Sequence, residues 1–303
     1  MMKKILLSSV MSLIILVGFT SCEEERTVYS GSQYIMFSDT LTVLGVEDKE
    51  EYLDVYISAT RPMSEDQTLA VEVVEQESSA IEGLHYELES NTVVIKAGEL
   101  TTSVRIRGYY ENLTIDEVPE IKLRLISPEE THWNLYEDMG LETKVMLQKI
   151  YPFDIHDFTG YAWITSTYLY NYVGDYNRLI KTSVDETDEE RRTIIMHDLY
   201  YDGYDVKLRF TTDDPLNPLV KMDDQPLVTT GEAFGTKYGD GMLHLYQPSN
   251  YVSYYSSGET FVYQYITLWV PGMAAGTNTV GTFVHVIKWI SDDEARILQN
   301  QGY

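Results

Sequence analysis

The chain has 303 residues, of which 44% are apolar, and a formal net charge of −26 at pH 7. The apolar content is too high for a disordered chain, and the length suggests two domains. The charge excludes nucleic acid as a partner, because duplex binding needs clustered Lys and Arg against the phosphates, and it disfavours contact with anionic lipid. Tyrosine dominates the aromatic residues, with 25 copies against 8 Phe and 4 Trp.

The first 22 residues have the layout of a secretory signal peptide. Lys3 and Lys4 precede an apolar run, and Thr20-Ser21 then lead into Cys22, the only cysteine in the chain. The apolar run is about 15 residues, shorter than the roughly 20 that a membrane-spanning helix needs. An ordinary cleaved signal would leave Cys22 as an unpaired thiol in an oxidising compartment, which is unfavourable.

This segment resembles a bacterial lipoprotein signal, in which the cysteine is lipidated and becomes the mature N-terminus. The resemblance implies that Cys22 carries acyl chains and that the protein meets the membrane through this lipid. Glu23, Glu24 and Glu25 follow, and they resemble the acidic run that directs Bacteroidetes lipoproteins to the outer face of the outer membrane. The expected location is therefore the outer membrane, lipid-anchored and surface-exposed. A periplasm-facing position is the alternative, and the three acids could also be a solvated tether.

The next segment, up to residue 150, shows the period-two alternation of β-strands. Leu53, Val55 and Ile57 alternate with more polar neighbours, and the same pattern recurs at four later places, residues 69–73, 104–106, 121–125 and 145–147. Turn signals such as Arg61-Pro62 and Ala97-Gly98 separate these runs. Several short alternating strands with no intervening long helix predict an antiparallel β-sandwich.

Five elements of this segment occur in a fixed order: Ala80–Tyr86, Thr92–Ile95, the turn Ala97–Glu99, Val104–Ile106 and Glu120–Leu125. In this order they resemble the Calx-beta repeat, an immunoglobulin-like sandwich. His85 stands where the family usually has Asp, and Tyr109 and Tyr110 stand where calcium-binding members carry an acidic pair. Ca²⁺ needs six to eight oxygen ligands, and these substitutions remove its main ones. We therefore expect this segment to be a spacer or interaction module that holds no metal or cofactor.

Pro152 marks the expected junction with a second, tyrosine-rich segment. Strand-like runs continue to residue 290, and Ser291 with Glu294 forms a possible capping box for a short final helix. Sequential strands joined by short turns predict a meander that closes into a barrel or curls. The layout resembles two-domain Bacteroidetes lipoproteins of unknown function, whose second domain often begins with a strand like Gly160–Trp163.

The predicted fold class is all-β, an immunoglobulin-like antiparallel sandwich followed by a second antiparallel β-domain with a short C-terminal helix. The predicted divisions are a signal peptide over 1–21, an acidic tether over 22–32, the Calx-beta-like sandwich over 33–150 and the tyrosine-rich domain over 151–303.

Three groups of tyrosines are candidates for a ligand surface, because aromatic faces with hydroxyl tips suit sugar rings. The strand Phe261–Val270 carries alternate aromatic residues, but its opposite face is also apolar, which favours a buried strand in the core. Tyr251, Tyr254 and Tyr255 lie in a Ser-rich loop and are expected to be exposed. Tyr168, Tyr170 and Tyr172 alternate as a stripe and form the second choice.

The sequence supports no catalytic residue. The six histidines are scattered without an i, i+4 pair for zinc, and no nucleophile elbow or phosphate loop occurs. Three acidic pairs, Asp213-Asp214, Asp223-Asp224 and Asp292-Asp293, could serve glycoside hydrolysis but more simply mark turns or a helix start. The leading hypothesis is a non-enzymatic envelope lipoprotein that binds glycan or protein. The alternatives are a glycan-processing enzyme and a structural subunit of an envelope complex.

Overall fold

The computed structural model describes residues 29–133 and 140–303, so Cys22 and Glu23–Glu25 lie outside the described residues. The strands are β1 (Ile35–Phe37), β2 (Leu41–Val46), β3 (Leu53–Ala59), β4 (Gln67–Val73), β5 (Tyr86–Leu88), β6 (Thr92–Ile95), β7 (Thr101–Gly108), β8 (Glu120–Ile126), β9 (Glu142–Lys149), β10 (Gly160–Ser166), β11 (Asn177–Val184), β12 (Thr193–His197), β13 (Val206–Phe210), β14 (Val220–Lys221), β15 (Gln225–Thr229), β16 (Met242–Tyr246), β17 (Tyr254–Ser256), β18 (Phe261–Trp269) and β19 (Thr279–Ile290). The described helices are α1 (Thr230–Phe234), α2 (Asp292–Asn300), the π-helix Leu169–Val173 and four 3₁₀ turns, Glu75–Glu77, Tyr110–Asn112, Glu129–Thr131 and Ile155–Phe158. The predicted all-β fold class is confirmed.

The first nine strands form two sheets that pack face to face. One sheet has the order β1-β3-β7-β5, and the other has the order β2-β9-β8-β4-β6. Along β3, Val55 and Ile57 are buried while Asp54 and Tyr56 face outward, which is the alternation expected of a sandwich strand. The inward residues of both sheets meet in one hydrophobic cluster. The pairs are antiparallel except for β2 with β9, which run parallel.

The remaining strands form one ten-stranded antiparallel sheet. Its order is β14-β13-β12-β11-β10-β19-β18-β16-β15, with β17 paired to the start of β18. The sequence predicts a meander that closes or curls, and the structure shows a curled sheet in which the first of these strands, β10, pairs with the last, β19. The sheet curls around its own core, where Phe158 from a 3₁₀ turn packs at 4.5 Å (ring centroids) from Phe210 and 5.0 Å from Trp289.

A side chain links β13 to β15 near the two edges of the curled sheet. β14 is only two residues long and leaves part of β13 unpaired. The amide of Gln225, at the start of β15, fills this place. It accepts from the backbone N–H of Lys207 at 2.8 Å and donates to the carbonyl of Lys207 at 2.9 Å. This side chain blocks an exposed strand edge that could otherwise pair with another chain.

The C-terminal helix α2 begins at the capping box that the sequence predicts. The hydroxyl of Ser291 accepts from the backbone N–H of Glu294, and the Glu294 carboxylate accepts from the backbone N–H of Ser291. Ala295 is fully buried against the sheet, and the ring of Tyr303 packs edge-on against Trp163 at 4.8 Å. The helix therefore covers part of the outer face of β10.

The division of the chain follows the sheets. β1–β9 make up the sandwich and its cluster, whereas β10–β19 make up the curled sheet and a second cluster. The domain boundary at Pro152 stays a prediction, because separate folding of the two parts is a question of stability. No helix in the described ranges is both long enough and apolar enough to cross a membrane.

Candidate functional site

Strand β18 presents an aromatic face to the outside of the curled sheet. Its inner residues, Val262, Ile266 and Leu268 among them, are fully buried. The opposite face carries Tyr263 and Tyr265, which are only half-buried. The expectation that β18 is covered on both faces is therefore wrong on the outer side, because the curled sheet packs its core on one face only.

Two further tyrosines, one from a loop and one from β17, stack on this face. Tyr251 lies on Tyr265 with ring centroids 4.6 Å apart and planes at 23°, and Tyr254 lies on Tyr263 at 5.5 Å and 22°. Tyr263 and Tyr265 meet edge-on at 5.5 Å. The two outer rings remain about two-fifths exposed, 43% for Tyr251 and 40% for Tyr254. We call these four residues the tyrosine platform.

Backbone pairing fixes the loop that carries the outer rings. β17 pairs with β18 so that Tyr254 lies directly opposite Tyr263. Between the two outer tyrosines, Ser253 is buried, and its hydroxyl accepts from the backbone N–H of Tyr265 at 3.0 Å. Its carbonyl accepts from the backbone N–H of Val220 at 3.1 Å. The outer rings are therefore held in place before any ligand arrives, which lowers the entropy cost of binding.

Tyr255 does not belong to the exposed surface, which corrects the expectation from the sequence. It is 4% exposed, its hydroxyl donates to the carbonyl of Thr211 at 3.1 Å, and its ring packs against Phe158 and Phe210. Burial raises the pKa of Tyr255 to about 12. The cause is the strand geometry of β17, where consecutive side chains point to opposite faces, so exposing Tyr254 buries Tyr255.

Tyr168, Tyr170 and Tyr172 do not form a strand stripe. They lie at and within the π-helix Leu169–Val173, where period-two alternation does not apply. Tyr168 is fully buried and its hydroxyl bonds to that of Tyr201 at 2.7 Å, and burial raises its pKa. Tyr172 stacks on Tyr168 at 5.0 Å, whereas Tyr170 is 53% exposed and stacks on Tyr176 at 4.0 Å. These three tyrosines are thus divided between core and surface.

A cleft of about 690 Å³ lies beside the platform, where the sandwich meets the curled sheet. Tyr254 and Phe261 line it from the curled sheet, and Ile115, Lys149 and Tyr151 line it from the other side. Its volume falls in the range of small-molecule pockets, roughly 300–1,000 Å³. Sequence patterns do not reveal this cleft, because its walls come from two parts of the chain and no local pattern determines where one part lies relative to the other.

Lys149 is one of two lysines, with Lys49, that line the cleft. Its ammonium nitrogen lies 4.1 Å from the ring centroid of Tyr110 and 5.4 Å from that of Tyr151, and it donates to the carbonyl of Leu113 at 3.1 Å. Such cation–π contacts hold the long side chain in one position. Glu47, Asp48 and Glu259 also line the cleft, so its overall charge is negative.

At the other end of the outer face of β18, Asp224 holds the side chains of Trp269 and His244 in place. Its carboxylate accepts from the indole N–H of Trp269 at 2.7 Å and lies 3.3 Å from Nδ1 of His244.

Of the other acidic pairs, Asp213 pairs with Arg192 at 2.9 Å, and Asp214 accepts from the backbone N–H of Leu216. Asp292 and Asp293 lie in the first turn of α2, as a helix start requires.

His85, Tyr109 and Tyr110 stand where calcium-binding Calx-beta repeats carry ligands, and they form ordinary hydrogen bonds and ring contacts. Nδ1 of His85 accepts from the backbone N–H of Ile81 at 3.0 Å, and the hydroxyl of Tyr109 donates to Glu87 at 2.7 Å. Tyr110 lies under Lys149. Across residues 29–133 and 140–303, no group of three or more His, Cys, Asp or Glu side chains is placed to hold a metal ion.

Residues 138–301 match the protein family described as Domain of unknown function (DUF4984). The chain belongs to this family. The match covers the whole curled sheet, including the tyrosine platform and α2. No curated protein sequence matches the chain.

Among solved structures, the chain is similar to a protein of unknown function from Bacteroides ovatus, with 11% identity over 84% of this chain and 89% of the other, and a TM-score of 0.35. It is similar to an auxiliary nutrient binding protein from Bacteroides thetaiotaomicron, with 14% identity over 82% and 91% and a TM-score of 0.31. The apo form of the Calx CBD1 domain matches 39% of this chain and 98% of its own length, with 14% identity and a TM-score of 0.31.

Proposed function

We propose that this chain is a binding protein whose tyrosine platform takes carbohydrate and leaves it chemically unchanged. The observation that carries the proposal is the pair of fixed, stacked and two-fifths exposed rings of Tyr251 and Tyr254. The C–H face of a sugar ring packs on such an aromatic plane, and the phenol hydroxyls at the ring edges can hydrogen-bond to sugar hydroxyls. Because the rings are already ordered, little conformational freedom is lost on binding.

A protein partner is the second candidate, since tyrosine is also enriched at protein interfaces. The exposed Val252, 67% accessible and situated between the outer tyrosines, would suit a protein contact better than a sugar. The platform favours carbohydrate because the outer rings lie within 25° of the rings beneath them, which leaves flat surfaces instead of an interlocking one. Binding of a glycan supports the first candidate, and binding of a protein supports the second.

We expect the purified full chain to bind one class of oligosaccharide on a glycan array, and Tyr251→Ala and Tyr254→Ala each to weaken this binding about tenfold. The reason is that one aromatic contact contributes about 1–1.5 kcal/mol and 1.4 kcal/mol corresponds to a factor of ten. Titration calorimetry with the best array ligand measures the change.

Two further variants serve as controls. Tyr56→Ala removes a tyrosine of similar exposure, 55%, from the sandwich and should leave affinity unchanged. Tyr170→Ala tests the second choice, the surface of the π-helix. Loss of affinity in Tyr170→Ala with full retention in the two platform variants would move the site there. Capture of an envelope protein with no glycan bound would favour the protein partner.

We also propose that the protein is a lipid-anchored component of the outer membrane, attached through Cys22. This rests on the signal-like segment before Cys22 and the three acids after it. Replacing Cys22 with Ser should release the protein from the membrane fraction, measured by immunoblotting of fractionated cells.

Replacing Glu23–Glu25 with Ala should keep the protein anchored but protect it from protease added to intact cells. Unchanged protease access in that variant would contradict surface export by the acidic run.

A further inference from the structure

A serine, a histidine and an aspartate form a connected chain of hydrogen bonds on the outer face of the curled sheet. The hydroxyl oxygen of Ser183, on β11, lies 2.8 Å from Nε2 of His197, on β12. Nδ1 of the same ring lies 2.9 Å from Oδ2 of Asp205, just before β13. The tyrosine platform lies on other strands, and this group is independent of it.

The two bonds fix the tautomer of the histidine. An ionised carboxylate can only accept, so Nδ1 must carry the proton that bonds to Asp205. In the neutral ring Nε2 then carries no proton and accepts the hydroxyl proton of Ser183. This is the arrangement in which a histidine takes the proton of a serine nucleophile while an aspartate holds the ring in place.

The aspartate is itself held by the turn that follows β12. Its second oxygen, Oδ1, accepts from the backbone N–H of Asp198 at 3.3 Å. Asp198 has a φ of 53°, in the left-handed region that aspartate tolerates in turns, and its carboxylate accepts from the backbone N–H of Gly203. The turn from Asp198 to Asp205 therefore acts as a fixed support for the histidine.

Solvent and substrate can reach the group. The side chain of His197 is 36% exposed and that of Asp205 is 50% exposed, while Ser183 is half-buried. In the strand register Lys181 lies directly opposite His197 on the same face, and its ammonium nitrogen is 4.9 Å from the ring centroid of Tyr161. Lys181 thus adds a positive charge to the outer face of the sheet that also carries Ser183 and His197.

We propose that Ser183, His197 and Asp205 form a nucleophilic triad that hydrolyses esters. The oxygen of Ser183 attacks the carbonyl carbon of the ester, and its proton passes to Nε2 of His197. The tetrahedral intermediate breaks its bond to the alcohol oxygen, which leaves with the proton from Nε2. Water then gives a proton to Nε2 and attacks the acyl-serine, and the carboxylic acid leaves as Ser183 recovers its proton.

The exposed position of these three residues on a strand face indicates the class of substrate. A site on an exposed face suits an ester that projects from a large molecule, because the bulk of the substrate stays outside. We infer a small acyl ester, such as an acetyl group on a polymer hydroxyl, as the substrate class.

The test is covalent labelling of the full chain with a fluorophosphonate, which bonds to an activated serine oxygen and releases fluoride. Mass spectrometry should place the label on Ser183 of the folded protein, and p-nitrophenyl acetate should be hydrolysed. Ser183→Ala should abolish labelling at this position, and His197→Gln should slow both reactions at least 100-fold, the usual contribution of a general base. Asp205→Asn should also slow them, because the amide can hold the other tautomer.

The chain offers a matched control in the pair of His244 and Asp224, where Nδ1 lies 3.3 Å from the carboxylate. His244→Gln should leave labelling and hydrolysis unchanged, and thermal unfolding of all variants should show that each is folded. A wild-type protein whose Ser183 is not labelled would overturn the proposal. Equal labelling in wild type and His197→Gln would overturn it too, because the histidine would then activate nothing.

Discussion

Replacing Tyr255 with Ala should lower the free energy of unfolding by about 3–5 kcal/mol, the usual cost of removing a buried aromatic side chain. The ring is 4% exposed and contacts Phe153, Phe158 and Phe210, and its hydroxyl bonds to the carbonyl of Thr211. The variant loses this packing and leaves a carbonyl without its partner. Denaturant unfolding followed by circular dichroism measures the change.

The neighbouring residue is the matched control. Tyr254 belongs to the same short strand but is 40% exposed, so Tyr254→Ala should cost no more than about 1 kcal/mol. Tyr255→Phe keeps the ring and loses only the hydrogen bond, for which we expect about 1 kcal/mol. Equal destabilisation by Tyr254→Ala and Tyr255→Ala would show that the two side chains are not on opposite faces of the sheet.

The second prediction concerns pH and the fully buried His285. This residue lies on β19 opposite Gln264, and the hydroxyl of Tyr200 bonds to its Nε2. Burial lowers the pKa of His285 to about 3. The folded protein therefore keeps His285 neutral, while the unfolded chain binds a proton below its ordinary pKa of 6.5. Stability contributed in this way is present above pH 6.5 and is lost as the pH falls toward 3.

Between pH 6.5 and 4.5 we expect this histidine to remove about 2–3 kcal/mol from the free energy of unfolding, since each pH unit corresponds to about 1.4 kcal/mol. The window avoids Asp185, whose pKa is lowered to about 2 mainly by its hydrogen bond to Lys207 and which therefore titrates at lower pH. Urea unfolding at several pH values measures the slope. It should be shallower in His285→Gln and unchanged in a variant of the exposed His156, namely His156→Gln. An unchanged slope in His285→Gln would contradict the prediction.

The sequence predicts those parts of the fold that local patterns determine. Strand β3 lies where the sequence predicts alternation, because its alternate residues Val55 and Ile57 face one core. The capping box at Ser291 is likewise readable, since its two hydrogen bonds join residues three positions apart. In both cases the interactions that select the structure lie within a few residues of each other.

The candidate site depends on information that local patterns lack. Tyr254 and Tyr255 are chemically identical neighbours, and only the register of β17 against β18 decides which one is exposed. Tyr168 and its neighbours have a spacing that fits a strand, but the chain turns there and ends its π-helix at Gly174, whose φ is 95°. Ser183, His197 and Asp205 come together only because β11, β12 and β13 pair in one register.

The parallel pairing of β2 with β9 has a consequence for the order of folding. Leu41 pairs with Lys144 and Val46 with Lys149. The edge strand β2, near the start of the sandwich, can therefore pair only after β9, the last strand of the sandwich, has been made. Contacts between residues so far apart in the chain form slowly, because a long loop must close first. During synthesis β2 would leave the ribosome well before its partner. Its outward Leu41 and Val43, still 51% and 37% exposed in the finished fold, make this strand an unpaired apolar edge of the kind that chaperones bind in a nascent chain.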